Sequence, residues 1–256
     1  MKYLGDLRVM SSFFNSLFLI FQREILSYFS TPIAYVFIGI FLLLSSLFTF
    51  YLGNFFELGQ ANLSSFFEWH PWLYLFLIPS VTMRLWAEEK KTGTIEFITT
   101  LPLSPASIVF GKFLASWLFS CIALLLTFPL WITVNYLGEP DNGVILASYI
   151  GSILMAGSYL SIGSCISALT NNQVIAFVIS ATISFLFTVS GLPIVLDFFS
   201  SWSGQTLTDA IASFSFLTNY FDITRGLIDL RSLLYFITLI FFFLYINILI
   251  ISNLRD

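Results

Sequence analysis

The sequence predicts an all-α integral membrane protein with six transmembrane helices, an N-terminal interfacial helix, a short cytoplasmic helix between spans 2 and 3, and short outer-leaflet helices between spans 5 and 6. Three observations predict it. Charged side chains are 9% of the 256 residues, against about 25% in a typical soluble domain. Hydrophobic residues are 58%, with 31 phenylalanines, and the mean hydropathy is +0.93. A soluble fold of this size needs more polar side chains than this to cover its surface, and a disordered chain needs more charge and less apolar content. The third observation is that five apolar runs reach the roughly 20 residues a helix needs to cross the hydrocarbon core.

Taken in order, the arm at 13–30 places Phe14, Phe18, Phe21, Ile25 and Tyr28 on one helical face, with Asn15, Gln22 and Arg23 opposite. That is the pattern of a helix lying in the membrane interface. Polar interruption at Asn15-Ser16 and the absence of a small-residue cleavage site argue against a signal peptide. The first span, 33–52, starts after Thr31-Pro32 and carries no charge. The second, 66–86, has only a short apolar centre and takes in Glu68 and His70. It is accepted on the expectation that those groups sit at a solvated end, beside Trp69 and Trp72, with Trp86 at the other end. Spans three and four, 106–137 and 144–169, carry a single charge between them, Lys112. The fifth, 174–196, meets Ser190-Gly191-Leu192-Pro193, which should bend or break it. Residues 197–231 read as short helices dipping into the outer leaflet or as an ordinary outer loop, and 232–252 form the last span.

Basic residues set the orientation. Lys2, Arg8, Arg23, Arg84, Lys90, Lys91, Lys112 and Arg255 all fall on one side of a six-span layout, which should be cytoplasmic and should hold both termini. Glu57, Glu68, Glu139, Asp141, Asp197 and Asp209 fall opposite. Asp222 and Asp229 are placed to offset Arg225 and Arg231 in place.

Composition also excludes function classes. A net charge of −4 without a basic stripe argues against nucleic acid as a partner. One histidine, His70, and two cysteines in apolar runs, Cys121 and Cys165, leave no metal-site pattern and no disulfide framework. The spans hold no Asp or Glu away from their ends, so a proton relay is hard to build. The Gly111-Lys112 pair lacks the first glycine and the Ser/Thr of a Walker loop. No cofactor is expected in this chain. Energy for driven work would have to come from another chain.

Two stretches point to packing and docking. In the fourth span Ser148, Ser152 and Ala156 form a four-residue row, with Gly157 and Ser161 beside it. Small residues at that spacing let helices approach closely, within the chain or at a subunit or substrate interface. Between spans two and three, Glu88, Glu89, Lys90 and Lys91 leave the membrane and Thr92-Gly93 breaks the chain. Then Ile95, Ile98 and Leu101 recur every three residues until Pro102. So short an element is not stable alone in water, and its apolar edge suits a partner's groove.

The same segment resembles a known family. Met83-Arg84, Glu88-Glu89, Lys91-Thr92-Gly93-Thr94-Ile95-Glu96, Leu101-Pro102-Leu103-Ser104 and Gly111-Lys112 resemble the signature after the second span of ABC-2-type transporter permeases. Arg23-Glu24 through Tyr28-Phe29 to Pro32-Ile33-Ala34-Tyr35, and Arg225-Gly226-Leu227-Ile228-Asp229-Leu230-Arg231 running into Tyr235-Phe236, resemble the branch with gliding-motility-associated permeases. The resemblance implies a permease subunit in a bacterial inner membrane, paired with a second copy or paralogue and surrounded by lipid. It implies two ATPase subunits that bind ATP and Mg and drive transport, with export the expected direction. Residues 92–101 would be the coupling helix, and Glu88, Glu89, Gly93, Thr94, Ile95, Glu96, Ile98, Leu101 and Pro102 would serve coupling rather than catalysis. The arm at 13–30 would be the connecting helix. An ATP-independent carrier or channel is the alternative.

Overall fold

A computed structural model describes residues 2–200, 205–226 and 229–254, and every regular element among them is helical. Leu227, Ile228 and Arg255, used in the sequence reading, lie outside those residues. Helix α1 (Lys2–Ser30) begins earlier than the arm at 13–30. From residue 13 its inner strip is Phe13, Leu17, Ile20, Glu24 and Tyr28, while Phe14 and Phe18 face away from the protein. The packed strip therefore lies about one position round from the predicted apolar face. A glycine decides which way α1 leans: a Cβ on Gly111 would meet Ile20 Cγ2 at 2.8 Å and the Leu17 carbonyl at 3.1 Å.

Helix α2 (Pro32–Leu47) opens on its proline and runs into a π-helical turn at Phe48–Leu52. The predicted second span is two pieces, α3 (Ser64–Glu68) and α4 (His70–Thr82), parted at Trp69, followed by a turn to Trp86. At 1.5 Å per residue α4 is about 20 Å long, short of the roughly 30 Å hydrocarbon core. Next come α5 (Ala87–Thr92) and α6 (Thr94–Thr100). Then α7 (Pro105–Leu125) is capped by the Ser104 hydroxyl, and α8 (Phe128–Leu137) continues it after a break at Leu126-Thr127. Helix α9 (Asn142–Leu169) is capped by the Asp141 carboxylate, which accepts from the Gly143 and Val144 amides. Asn172 caps α10 (Gln173–Val189) in the same way. At the predicted Ser190–Pro193 break the chain turns by 75° into α11 (Pro193–Ser200). Helices α12 (Gln205–Ser213) and α13 (Phe216–Thr224) precede α14 (Leu230–Asn253).

Among the described residues four stretches are long and apolar enough to cross a membrane: Pro32–Leu52, Pro105–Leu137, Asn142–Leu169 and Leu230–Asn253. The bent α10–α11 pair is a fifth if counted as one span. Helix α9 is the centre, packed against α14, α10, α4, α13 and α7. Its apolar window is 67% buried, against 22% for Pro32–Leu52 at the periphery.

Candidate functional site

Where α4 ends, a set of polar contacts ties α5 to the end of α9. The backbone N–H groups of Trp86 and Ala87 both donate to Ser167 Oγ at 3.1 Å, and that hydroxyl donates to the Met83 carbonyl at 3.1 Å. Trp86 is fully buried and its Nε1 donates to Ser164 Oγ at 3.1 Å. Lys90 Nζ donates to the Ala168 carbonyl, one of the orphan acceptors of the last turn of α9. Burial holds the Lys90 ammonium below its ordinary pKa. Gly93 then reverses the chain with φ +75°, a left-handed conformation that side-chain-bearing residues rarely adopt. The hydroxyls of Thr92 and Thr94 both donate to the Glu89 carbonyl at 3.3 Å, closing the turn on α5.

Two turns into α7, Lys112 is 2% exposed. Its ammonium donates to Glu89 Oε1 at 2.7 Å, Glu24 Oε1 at 3.1 Å and the Leu85 carbonyl at 3.2 Å, and lies 5.1 Å from the centre of the Trp86 ring. Three separate segments, α1, α5 and the start of α7, thus meet on one cation. One ammonium faces two carboxylates, so the cluster carries net negative charge. Burial pushes the Glu89 carboxyl above the usual glutamate range, and the adjacent Lys112 opposes this without cancelling it. Glu89 Oε2 is buried with no hydrogen-bond partner. A buried charge cluster left short of donors is a strong but conditional tie, sensitive to any shift of its members.

Beside the cluster lies a cavity of about 530 Å³. Arg23, Arg84, Glu88 and the Glu24–Lys112–Glu89 cluster form its charged end, Ser27, Tyr28, Thr31 and Ser80 add neutral polar groups, and side chains such as Ile33, Val36, Phe37, Leu77, Val81 and Phe119 make up most of the rest.

The predicted coupling residues separate into two groups. Glu88, Gly93, Thr94, Glu96 and Pro102 are exposed, and Leu101 is half-buried. Glu89 is drawn into the charge cluster. The expectation that Ile95 and Ile98 form an exposed apolar edge is corrected: Ile98 is 5% exposed within the chain's own core, and Ile95 packs against that core. Every-third spacing puts the two on one face, and that face is covered by the chain itself. The apolar side chain turned outward is Phe97, 68% exposed. In α9, Ser148, Ser152, Ala156, Gly157 and Ser161 are all buried against the chain's own helices, the first of the two readings of that row. Ser152 Oγ pairs with Tyr220 Oη of α13 at 2.9 Å.

Two further expectations change. His70 does not sit at a solvated end: it is fully buried, with the rings of Phe66, Phe67, Tyr74 and Phe41 at 4.5, 5.3, 5.4 and 6.2 Å from its own. Glu68, two residues earlier, is the exposed one. Among the described residues the ion pairs are those of Lys112, so Arg225 and Arg231 are not offset through side-chain pairs with Asp222 and Asp229. Asp229 caps the Arg231 amide instead, at 3.1 Å. Sequence reading missed Glu24, Trp86, Lys90 and Lys112 as a joint. The available signal was Lys112 itself, since a lysine inside an apolar helix requires an acidic partner.

The fold and its apolar helices define a multi-pass, all-α membrane protein. The profile of the family described as ABC-2 family transporter protein matches residues 73–244, more than half of the chain. The chain belongs to that family and is an ABC-2-type permease, a kind of protein that generally works with ATPase subunits. Among curated proteins nothing matches it. Helices α5 to α13 lie wholly inside the matched stretch, α4 and α14 lie partly inside it, and the α1 arm with Glu24 precedes it.

Proposed function

We propose that the chain is the membrane subunit of an ABC exporter in a bacterial inner membrane. It crosses six times with both termini cytoplasmic, pairs with a second copy or paralogue, and is driven by ATP and Mg bound on two separate ATPase subunits. Helix α6 with its flanks is the coupling element seated on the ATPase, and α1 is the connecting helix along the inner interface. The observation that carries this reading is the mechanical linkage of the α5–Gly93–α6 unit. It is clamped to α9 through Trp86 and Lys90, and to α1 and α7 through Lys112. A push on α6 is therefore transmitted to three helices at once. The surface that meets the ATPase is the Phe97 side of α6, because Ile95 and Ile98 hold α6 to the permease.

The test is copurification. Phe97→Asp puts a charge where an aromatic side chain enters the partner's groove, and a buried unpaired charge is prohibitive. The variant should insert and unfold like the parent yet lose its ATPase subunit. Undiminished copurification would overturn the assignment of α6.

A further inference from the structure

The cavity beside the charge cluster has two unlike halves. At one end Arg23 and Arg84 line it, and neither has a hydrogen-bond acceptor or ion-pair partner among the described residues. Glu88, exposed and also without a partner there, lines the same end. Glu24 and Glu89 are already engaged by Lys112. The other half is mostly hydrocarbon, with Ile33, Val36 and Ile40 on α2, Leu77 and Val81 on α4, and Phe119 on α7, the Ser80 hydroxyl among them being turned back to the Leu77 carbonyl. On α2 these side chains are 50%, 58% and 44% exposed, so the apolar half is open sideways to whatever surrounds the helices. The polar half sits where α2 begins and α4 ends, the level of the membrane boundary for both.

We propose that this cavity is a binding site for a membrane phospholipid whose headgroup carries both a phosphate and a primary ammonium. The phosphate lies against Arg23 and Arg84, where a guanidinium fork matches phosphate oxygens. The ammonium donates to Glu88. An acyl chain runs along Val36, Phe37 and Leu77 and out into the bilayer. Charge selects this chemistry. A headgroup with phosphate alone would leave Glu88 unmatched and add charge beside a cluster that is already net negative. A soluble zwitterion would leave the apolar half empty. The volume of about 530 Å³ falls in the range of small-ligand sites. This site is independent of whether α6 docks an ATPase.

The full chain, purified with its native complement of subunits and delipidated in mild detergent, is titrated with phosphatidylethanolamine and with phosphatidylglycerol, and bound lipid is counted by native mass spectrometry. Phosphatidylethanolamine should bind about tenfold more tightly, the worth of one charge-assisted hydrogen bond. Arg84→Gln should weaken both lipids, and Glu88→Gln should erase the preference by weakening phosphatidylethanolamine alone. Val36→Trp narrows the sideways opening from an outward-facing position and should weaken both without disturbing the charges. In the parent chain, a photoreactive phosphatidylethanolamine should label residues 32–40 and 77–84. Equal affinity for the two lipids, full competition by soluble phosphoethanolamine, indifference to Val36→Trp, or labelling spread evenly over all outward faces would each overturn the site.

Discussion

Two polar regions hold this permease together by opposite means. The α9 hub uses neutral groups: Ser164 Oγ accepts from Trp86 Nε1 and from Asn247 Nδ2 at 2.8 Å, Ser152 pairs with Tyr220, and Trp117 Nε1 donates to the Ile153 carbonyl at 2.9 Å. These bonds are many, individually modest and spread along 28 residues of helix. The junction uses few groups with full charge, gathered on Lys112 and bordered by a cavity. A distributed neutral network with close-packed small residues behaves as a frame. A single cation shared by three segments behaves as a joint, because the segments keep their own hydrogen bonds when it lets go. The two meet at Trp86, whose indole nitrogen is bonded to the hub while its ring lies beside the Lys112 ammonium.

Breaking the joint should have the largest effect. Lys112→Ala leaves Glu24 and Glu89 part-buried without their cation, and removing one member of a buried pair costs about 3–5 kcal/mol. The expected readout is a sharp fall in thermal unfolding temperature and in folded yield. Loss smaller than that of the hub variant below would reverse the assignment of frame and joint. Restoring charge balance in the triple variant Lys112→Met, Glu24→Gln, Glu89→Gln should recover most of the stability and, under the proposed function, uncouple the partner's ATP hydrolysis from transport.

The hub should lose less at any one site. Ser164→Ala strands two buried donors, those of Trp86 and Asn247, at a cost of about 1–2 kcal/mol. Hydrogen exchange should rise locally around Trp86 and Asn247 and leave α1 protected. Exchange that instead spreads to α1 would show that hub and joint are one unit.

The smallest effect sharpens the comparison through pH. Glu89 is held above its unfolded pKa by burial, so its contribution to stability is present below the unfolded value of about 4.3. That contribution is lost as pH rises through the folded value. Acidification from neutrality should therefore tighten the junction, seen as slower exchange in α1 and α5. Glu89→Gln, which fixes the neutral form, should remove that pH dependence while keeping a hydrogen bond to Lys112. An unchanged pH profile would mean that another group sets it.

Much of the fold is legible from local chemistry. The caps at Ser104, Asp141 and Asn172 and the turn at Gly93 follow from residue types that satisfy helix ends. So does the 75° bend after Ser190-Gly191-Leu192-Pro193. The bounds of α9 fall close to the predicted 144–169 for the same reason, since Asp141 and the Thr170–Asn172 turn punctuate a long apolar run. Of the site, the Glu88–Leu101 segment was readable as an element, but its orientation was not. The burial of Ile98 rather than Phe97 depends on what lies behind α6. His70 was misread because an imidazole among four aromatic rings leaves no mark in a hydropathy profile.

By itself, then, the sequence determined the solvent, the helical class, most helix ends and the concentration of charge next to α5. Only the tertiary structure decided which faces turn inward and which charges meet. The physical reason is specific to membranes. In water an apolar stripe marks the packed face, but lipid is as apolar as a protein core, so the outward face of a span carries the same composition as the inward one. Periodicity then places residues on a common face without saying what that face touches. The Glu24–Lys112–Glu89 cluster joins residues 23 and 88 positions apart, and only the packing of α1 on α7 at Gly111 brings them within reach.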